Sequence, residues 1–357
     1  MKRLFFLAAT VLFCQLLFAQ TRASFYNTFS GKICGHDAVL HLSYTNSYKG
    51  YVWFKDYKIP LQLMQTDTQS DSIILGTTDI INSVSLNGVF KGDVYEGTSV
   101  VIIPHLSNTE LSGEFLLKPD GFYTPYLQTF VNSEATLPSK LNSDATYNGY
   151  AASIIPIDKS VLSTSVNNII QKTFNLKSTN NIAWELKDSL TKSRKMWLNN
   201  CLAMSAEDIK MMGMSLSEEM SEDLSVMYED EKTISLSDFI YSYTGGAHGN
   251  YSTSVYTIRK SDGKVLTVSD LFTKDGMNRL SKLLETAARK QFDVPAGPLE
   301  DNGFFVKQMP VSKEFYITKD YVGFIYNPYE IKSFAEGTIN LVMPKKEISQ
   351  YLKPEFK

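Results

Sequence analysis

The sequence predicts an α+β protein that begins with an antiparallel β domain, built as a small barrel or a sandwich. Between Phe25 and Leu117, short alternating segments are separated by turn residues at intervals of roughly ten positions, which is typical of an antiparallel meander. Beyond that region, strand-like segments and amphipathic helices follow each other without strict alternation, which favours an antiparallel sheet with packed helices over a wound parallel sheet. An aromatic content of 12% also suits strand-rich domains.

In the first domain, the clearest strand is Val39–Tyr44, where Leu40, Leu42 and Tyr44 alternate with other residues. Further strands are predicted at residues 50–54, 59–63, 72–75, 84–90, 99–103 and 111–117. Turn signals such as Asn87-Gly88 separate them. We therefore assign residues 20–131 to an all-β domain. Residues 132–145 are polar and without periodicity, and are predicted to be a linker.

The second domain, residues 146–357, is predicted to combine a sheet with several helices. Strands are expected at residues 147–156, 234–243, 252–259, 304–306, 314–317, 321–326 and 338–343. Helices are expected at residues 160–174, 184–201, 205–224 and 277–292, with a short helical turn at 328–334. The helix at 205–224 would carry a methionine-rich face and end in an acidic cluster, which suggests either a solvated face or a docking surface for a basic protein. That cluster consists of Glu218, Glu219, Glu222 and Asp223.

The first 19 residues are typical of an export signal. Lys2 and Arg3 precede an apolar stretch from Leu4 to Phe18, and Ala19 offers a cleavage site before Gln20. The apolar stretch is shorter than the ~20 residues that span a bilayer, so no stable transmembrane anchor is expected. A lipoprotein is disfavoured because Phe13 before Cys14 fits such a motif poorly. The protein is therefore expected in the periplasm or outside the cell.

Composition excludes several functional classes. With 35 basic and 38 acidic residues, the net charge is −3, which excludes strong electrostatic attraction to nucleic acid or to an anionic membrane. The four histidines, at positions 36, 41, 105 and 248, do not recur at metal-ligand spacing, so no metal and no cofactor are expected. Cys34 and Cys201 could pair outside the cytoplasm or remain free thiols, and the sequence leaves both possibilities open.

The most distinctive motif is Tyr243-Thr244-Gly245-Gly246-Ala247-His248-Gly249, which lies between two predicted strands. Paired glycines there predict a turn with positive φ angles. His248 could act as a general base with Tyr243, Ser242 or Asp238, or it could hydrogen-bond neighbouring backbone and stabilise the turn. A nucleophile elbow is absent from the sequence. A second motif, Asn327–Ile331, contains Glu330, which is either a candidate acid or a residue of the first turn opened by Pro328.

Together with Ser261–Lys264, Asp270–Phe272, Gly337 and Thr338–Met343, these motifs resemble the extracellular domain of the lysozyme-responsive (RsiV-type) anti-sigma factors. A similar domain precedes the catalytic part of some peptidoglycan deacetylases. The N-terminal region is similar to β domains of unknown function in Bacteroidota envelope proteins. The resemblance implies recognition of a lysozyme-like protein or of peptidoglycan. On its motifs we predict that the ligand-binding residues are Tyr243, Thr244, Gly245, Gly246, His248, Asn327, Tyr329 and Glu330.

Two functions are therefore expected from the sequence. The favoured one is an exported, non-enzymatic binding protein of the cell envelope, without catalytic residues. The alternative is an envelope glycan or peptide hydrolase that uses His248 with a carboxylate. Because the apolar stretch starts at residue 4 and the chain ends at Lys357, neither direct anti-sigma activity nor a deacetylase catalytic domain is expected.

Overall fold

The computed structural model describes residues 24–67, 72–77, 82–103, 106–107, 109–141 and 143–357. The predicted signal peptide and His105 lie outside these described residues. Among the helices that the structure does describe, none is both long and apolar enough to cross a membrane. The described chain forms a β barrel, a six-stranded sheet with helices, and a three-stranded sheet with its own helix.

The N-terminal domain is a closed antiparallel barrel, which confirms the β meander and decides between the two predicted arrangements. Its strands are β1 (Phe25–Ile33), β2 (His36–Tyr44), β3 (Tyr48–Phe54), β4 (Leu61–Asp67), β5 (Ile73–Thr77), β6 (Ser83–Lys91), β7 (Val94–Ile102) and β8 (Leu111–Pro119). Strand β8 pairs back onto β1, where Ile33 lies opposite Phe115. At this closure a Cβ on Gly31 would lie 2.0 Å from the Leu116 carbonyl oxygen, so glycine permits the close approach of the two strands.

The barrel interior is filled by side chains from alternating positions. Leu40 and Leu42 of β2 are fully buried, as the alternation of Val39–Tyr44 predicts. Tyr95 is also buried, and its hydroxyl donates a hydrogen bond to the Ile73 carbonyl oxygen at 2.9 Å. Its ring packs against Phe115 at 4.7 Å between centroids. The interior is therefore a packed core, as is usual for barrels of this strand number.

The second sheet has the order β14-β13-β12-β11-β10-β9. Its strands are β9 (Tyr126–Thr136), β10 (Thr146–Pro156), β11 (Glu218–Glu229), β12 (Thr233–Tyr243), β13 (Asn250–Arg259) and β14 (Lys264–Val265). Neighbouring strands are antiparallel except β10 and β11, which are parallel because the helical segment between them crosses over the sheet. Three helices make up this segment: α1 (Val161–Thr173), α2 (Ile182–Leu202) and α3 (Ala206–Met212), followed by a 3₁₀ turn, Gly213–Leu216.

The C-terminal part consists of a three-stranded antiparallel sheet and helices. The strands are β15 (Phe315–Ile317), β16 (Tyr321–Tyr326) and β17 (Ile339–Pro344). The helices are α4 (Val268–Leu271), α5 (Lys274–Gln291) and α6 (Lys345–Ile348), with 3₁₀ turns at 139–141, 300–302, 334–336, 349–351 and 354–356 elsewhere in the chain. Thr273 caps α5 by accepting a hydrogen bond from the Gly276 N–H. Leu280 and Leu284 of α5 pack against the sheet, so the predicted amphipathic helix at 277–292 is confirmed.

The structure differs from the sequence prediction in three segments. The helix predicted at 205–224 ends at Met212, because Gly213 has φ = 52° and the following residues pair as strand β11. The acidic cluster therefore lies on a strand, where Asp223 is buried and the other three side chains are partly exposed. Residues 132–136 of the predicted linker belong to β9, which pairs with β10 along its length. Residues 304–306 form a loop instead of a strand, and Phe304 packs on Phe292 of the helix region.

Specific polar contacts join the barrel to the six-stranded sheet. Lys49 of β3 forms an ion pair with Asp223 of β11 at 2.8 Å. The Tyr51 hydroxyl donates a hydrogen bond to Ser237 Oγ at 2.7 Å, and both side chains are buried. Strand β3 therefore fixes the barrel against the face of the sheet. Cys34 lies in the barrel and Cys201 in α2, and both are free thiols.

Candidate functional site: an aromatic surface beside the glycine-rich hairpin

The Tyr243–Gly249 motif forms the connection between β12 and β13, as predicted. Gly245 and Gly246 adopt φ angles of 92° and 96°, which side chains rarely tolerate. A Cβ on Gly245 would also lie 2.6 Å from the Ser215 carbonyl oxygen, whereas Gly246 faces open space. The Tyr243 hydroxyl donates a hydrogen bond to the Gly246 carbonyl oxygen at 3.1 Å. Tyr243 and Gly245 thus stabilise the turn and hold it against the preceding 3₁₀ segment.

The Asn327 side chain forms hydrogen bonds with backbone groups at the outer edge of β13. Its Oδ1 accepts a hydrogen bond from the Thr253 N–H at 2.6 Å, and its Nδ2 donates to the Thr253 carbonyl oxygen at 3.1 Å. Two residues along the strand, the Val255 N–H donates to Glu314 Oε2 at 2.6 Å. These side chains satisfy backbone groups that a further strand would otherwise pair. Asn327 therefore joins the C-terminal part of the chain to the β12–β13 hairpin.

Four aromatic side chains gather where the hairpin meets the loop that follows Asn327. The His248 ring stacks on Phe334, with centroids 4.4 Å apart and planes 24° from parallel. Tyr251 meets the same ring edge-on at 5.5 Å, and Tyr329 lies 5.7 Å from it. We call His248, Tyr251, Tyr329 and Phe334 the aromatic platform. Offset and edge-to-face geometries at these distances are favourable for aromatic rings.

Tyr329 of the aromatic platform is exposed and has an unusual backbone conformation. Its φ angle is 70°, and its side chain is 53% exposed. A left-handed conformation in a bulky residue costs about 1 kcal/mol or more, and such residues cluster at binding sites. The conformation is held by a hydrogen bond from the Tyr329 N–H to the Lys332 carbonyl oxygen at 3.1 Å. The loop thus holds an aromatic ring in solvent at an energetic cost.

Polar side chains at the aromatic platform hydrogen-bond within the protein. His248 Nδ1 lies 2.9 Å from the Gly249 carbonyl oxygen, so this nitrogen carries a proton and donates to backbone. Among the residues that the structure describes, no carboxylate forms an ion pair with the His248 ring. Burial raises the pKa of the Tyr251 hydroxyl, which therefore stays neutral. Glu330 Oε1 accepts a hydrogen bond from Asn327 Nδ2 at 3.4 Å.

The predicted ligand-binding residues thus divide into two groups. His248 and Tyr329 belong to the aromatic platform, while Asn327, Tyr243, Gly245 and Gly246 hold the backbone that carries it. Thr244 and Glu330 are exposed at the margins of the same two loops. The prediction missed Tyr251 and Phe334, because single aromatic residues in a strand or turn cannot be told from core residues by pattern.

Other groups of polar residues in the described chain do not form a metal centre. No cluster of three or more His, Cys, Asp or Glu side chains suited to a metal ion occurs among those residues. His36 pairs with Asp56 at 3.3 Å on the barrel surface. His41 is buried, and burial lowers its pKa to about 3. Its Nδ1 lies 2.8 Å from the Tyr26 hydroxyl, so His41 forms a hydrogen bond inside the protein.

Comparison with known proteins assigns similarity to two parts of the chain. Residues 269–346 match the family described as a protein of unknown function (DUF3298), and residues 139–251 match the family described as deacetylase PdaC. These matches support a domain-of-unknown-function family for this region. The first match contains the Asn327–Phe334 loop, and the second ends at Tyr251, just past the glycine-rich turn. Each of the two matched regions therefore contains two of the four residues of the aromatic platform.

One solved structure of a DUF3298 family protein has a similar fold. One from Bacteroides fragilis NCTC 9343 superposes with a TM-score of 0.56 at 22% identity, covering 64% of this chain and 93% of that one. Another from Pseudomonas aeruginosa PAO1 gives a TM-score of 0.46 at 15% identity, covering 65% of this chain and 96% of that one. At 22% identity, the first likeness shows the fold alone.

A curated relative is the peptidoglycan-N-acetylmuramic acid deacetylase PdaC of Bacillus subtilis (strain 168). It is 23% identical to this chain over 141 residues, which is 39% of this chain and 30% of the deacetylase. The match thus spans less than a third of that enzyme.

Proposed function

We propose that this protein is an exported, non-enzymatic module of the cell envelope that binds peptidoglycan glycan through the aromatic platform. The observation that carries the proposal is the exposed Tyr329 ring, held in a left-handed backbone conformation beside Phe334 and His248. Aromatic faces stack on the apolar faces of sugar rings, and the neighbouring hydroxyl and carboxylate groups of Thr244 and Glu330 can bond to sugar hydroxyls. The favoured expectation from the sequence is thus retained in a more specific form.

Of the two ligands that the sequence suggested, peptidoglycan has the stronger support. The curated relative carries peptidoglycan in its name, and the separate match to the deacetylase PdaC family model ends at Tyr251, in the hairpin that bears His248. The RsiV-type assignment and its lysozyme-like partner stay predictions. A lysozyme arm in the binding experiment tests them.

The hydrolase alternative has less support from the geometry of His248. A general base needs a free nitrogen directed toward substrate and, in most sites, a group that orients the ring. The Gly249 carbonyl oxygen orients His248 through Nδ1, which leaves Nε2 as the only basic nitrogen. The ring itself is stacked on Phe334, which suits a contact surface. The proposal of export rests on the predicted signal peptide and on the similarity to a peptidoglycan-N-acetylmuramic acid deacetylase.

The test is a calorimetric titration of the chain from Gln20 onward with soluble peptidoglycan fragments, and separately with lysozyme. The matched variants are Tyr329→Ala and Phe334→Ala, with Phe122→Ala as control, because Phe122 is 66% exposed on a different surface. Each platform ring is expected to contribute about 1 kcal/mol, so each variant should weaken binding about fivefold. Phe122→Ala should bind like the parent protein.

Three results would contradict the proposal. Absence of saturable heat with peptidoglycan fragments would show that peptidoglycan is not the ligand. Equal binding by Tyr329→Ala and the parent would show that the aromatic platform is not the binding site. Release of reducing ends or free peptide during prolonged incubation, lost in His248→Ala, would favour the hydrolase.

A further inference from the structure

A line of aromatic side chains crosses the six-stranded sheet on the face that contacts the barrel. Ser221 of β11 pairs with Tyr150 of β10 on one side and with Tyr241 of β12 on the other. Tyr241 lies opposite Tyr251 of β13, and residues paired across neighbouring strands share one face of a sheet. The Phe130 ring of β9 continues the line, because it stacks on Tyr150 at 6.3 Å with planes 16° from parallel. We call Phe130, Tyr150, Tyr241 and Tyr251 the transverse row.

The transverse row lies on the sheet surface beside the barrel. The barrel meets this face at Asp223, whose carboxylate pairs with Lys49 of β3 at 2.8 Å. Asp223 is two residues from Ser221 on β11 and therefore shares the face of the row. All four rings of the transverse row remain partly exposed. The barrel thus leaves a strip of aromatic surface that runs across the sheet from β9 to β13.

The transverse row is continuous with the aromatic platform through Tyr251, which belongs to both. Tyr251 meets the Phe334 ring edge-on at 5.5 Å. The glycine-rich turn also packs on the row, because a Cβ on Gly249 would lie 2.5 Å from atoms of the Tyr241 ring. Neighbouring strands are about 4.8 Å apart, so the row covers about 14 Å from Tyr150 to Tyr251, and the platform adds to that length. The combined surface is long enough for several sugar rings in line.

Three carboxylates are distributed along this surface. Glu134 shares the face of the transverse row on β9, Glu219 shares it on β11, and Glu330 lies at the margin of the aromatic platform. Among the described residues, none of the three forms an ion pair, and Glu134 and Glu330 each accept a hydrogen bond from an asparagine amide. Lys187 and Arg194 donate to backbone carbonyl oxygens of β9, which balances part of the charge at that end. The middle of the surface and its platform end therefore carry negative charge that a cationic ligand would complement.

The tyrosine hydroxyls of the transverse row remain protonated beside these carboxylates. Burial raises the pKa of Tyr150, and the charges of Glu134 and Glu219 act in the same direction. Burial also raises the pKa of Tyr241, with the charge of Glu219 as the second cause. Glu219 therefore lies within reach of both rings, and the two hydroxyls can donate hydrogen bonds to a ligand.

We propose that the transverse row extends the aromatic platform into a track for a linear glycan whose sugars carry free amino groups. The inference rests on the proposed function and adds the length and the charge of the ligand. Sugar rings stack their apolar faces on the exposed aromatic rings, and sugar oxygens accept hydrogen bonds from the tyrosine hydroxyls. The ammonium groups lie beside the carboxylates and against aromatic faces, two surroundings that are favourable for a cation. A glycan strand fits better than a folded basic protein, because the rings form one narrow line with polar tips in place of a broad apolar centre.

The experiment is a calorimetric titration of the full chain with β-1,4-linked oligomers of glucosamine and, in parallel, of N-acetylglucosamine, each of two, four and six sugars, at about pH 5.5. Affinity should rise at least tenfold from two to six sugars, and the glucosamine hexamer should bind at least threefold tighter than the acetylated one. Tyr150→Ala and Tyr241→Ala should each remove most of the gain with length. Glu219→Gln should remove the preference for glucosamine, while Glu231→Gln, an exposed charge in the turn at the other end of β11, should behave like the parent.

Several outcomes would overturn the track. Equal affinity for two and six sugars in the parent would do so, as would a length gain that persists in both tyrosine variants. Equal binding of the two hexamers would refute the charge assignment. If a variant does not fold, aromatic NMR signals of Phe130 and Tyr150 in the parent should still shift with the glucosamine hexamer, and unmoved signals would refute the track.

The same titrations separate this inference from the proposed function. Disaccharide binding that is lost in Tyr329→Ala, without any gain in affinity with length, would refute the track and support the platform. Hexamer binding that needs Tyr150 but not Tyr329 would support the track and refute the platform.

Discussion

Replacing Asn327 should show how much the side chain that bonds the β13 edge contributes to the free energy of unfolding. The carboxamide bonds both backbone groups of Thr253, at 2.6 and 3.1 Å, and Thr253 is only 5% exposed. Asn327→Ala removes both partners and leaves a backbone donor and acceptor unpaired at a site with little access to water. The change also frees the loop that carries Tyr329 and Phe334.

The expected cost follows from the two lost hydrogen bonds. Each buried group left unpaired costs about 1–3 kcal/mol, so the loss of two partners in Asn327→Ala should lower the free energy of unfolding by about 2–6 kcal/mol. At about 2 °C per kcal/mol, the low end of the range because the chain is long, Tm should fall by about 4–12 °C in a calorimetric scan. Asn327→Asp should be comparably destabilised at pH 8, because a carboxylate oxygen then faces the Thr253 carbonyl oxygen. Its deficit should shrink near pH 4, where a protonated carboxyl can donate.

The control is Asn302→Ala. Asn302 Nδ2 also donates to a backbone carbonyl, that of Pro298 at 3.1 Å, but in an exposed 3₁₀ turn. Its loss should change stability by about 0.5 kcal/mol or less. If Asn327→Ala lowers the free energy of unfolding no more than Asn302→Ala does, the reasoning is refuted. Water would then replace the carboxamide, and the edge of β13 would need no side-chain partner.

Two further predictions concern the glycine-rich turn and the buried histidine. Gly245→Ala should destabilise more than Gly246→Ala, because only the first adds a contact of 2.6 Å with the Ser215 carbonyl oxygen to the cost of its positive φ. The free energy of unfolding, measured with urea, should fall by about 1 kcal/mol in Gly246→Ala and by at least twice that in Gly245→Ala. Equal losses would show that the turn does not pack closely against the 3₁₀ segment. The pKa of His41 in the folded protein is about 3, below its ordinary value near 6.5. Between these two pH values the unfolded chain binds a proton at His41 that the folded protein does not bind. Stability should therefore fall as pH drops from 6.5 toward 3, and His41→Gln should flatten this part of the curve; an unchanged slope would show that His41 is accessible to protons in the folded protein.

Much of the fold could be predicted because it is encoded in local periodicity. The alternation of Val39–Tyr44 follows from a strand with one face in the barrel core, and the leucines of the helix Lys274–Gln291 follow from one buried stripe. Turn residues mark the ends of these elements, since glycine can adopt conformations that other residues avoid. The closure of the barrel depended on pairing between β1 and β8, about 80 residues apart, and local pattern could only offer it as one of two arrangements.

The acidic segment shows where local pattern misleads. Glu218, Glu219 and Glu222 favour a helix by intrinsic propensity, yet the segment forms β11 because β10 and β12 pair with it on both sides. Tertiary pairing outweighed propensity, and it also brought Asp223 to Lys49 of the barrel. One residue of the predicted acidic cluster, Asp223, thus lies at the contact between the barrel and the sheet.

The sequence by itself determined the elements, the glycine-rich turn and the two motifs, because each of these is a property of residues close together in the chain. Only the tertiary structure decided which residues of the two motifs contact each other. It placed Asn327 against Thr253 and the Phe334 ring against His248, contacts between residues 74 and 86 positions apart. Such contacts depend on strand register and on the packing of the C-terminal sheet against β13, and a spacing pattern along the chain carries no information about either.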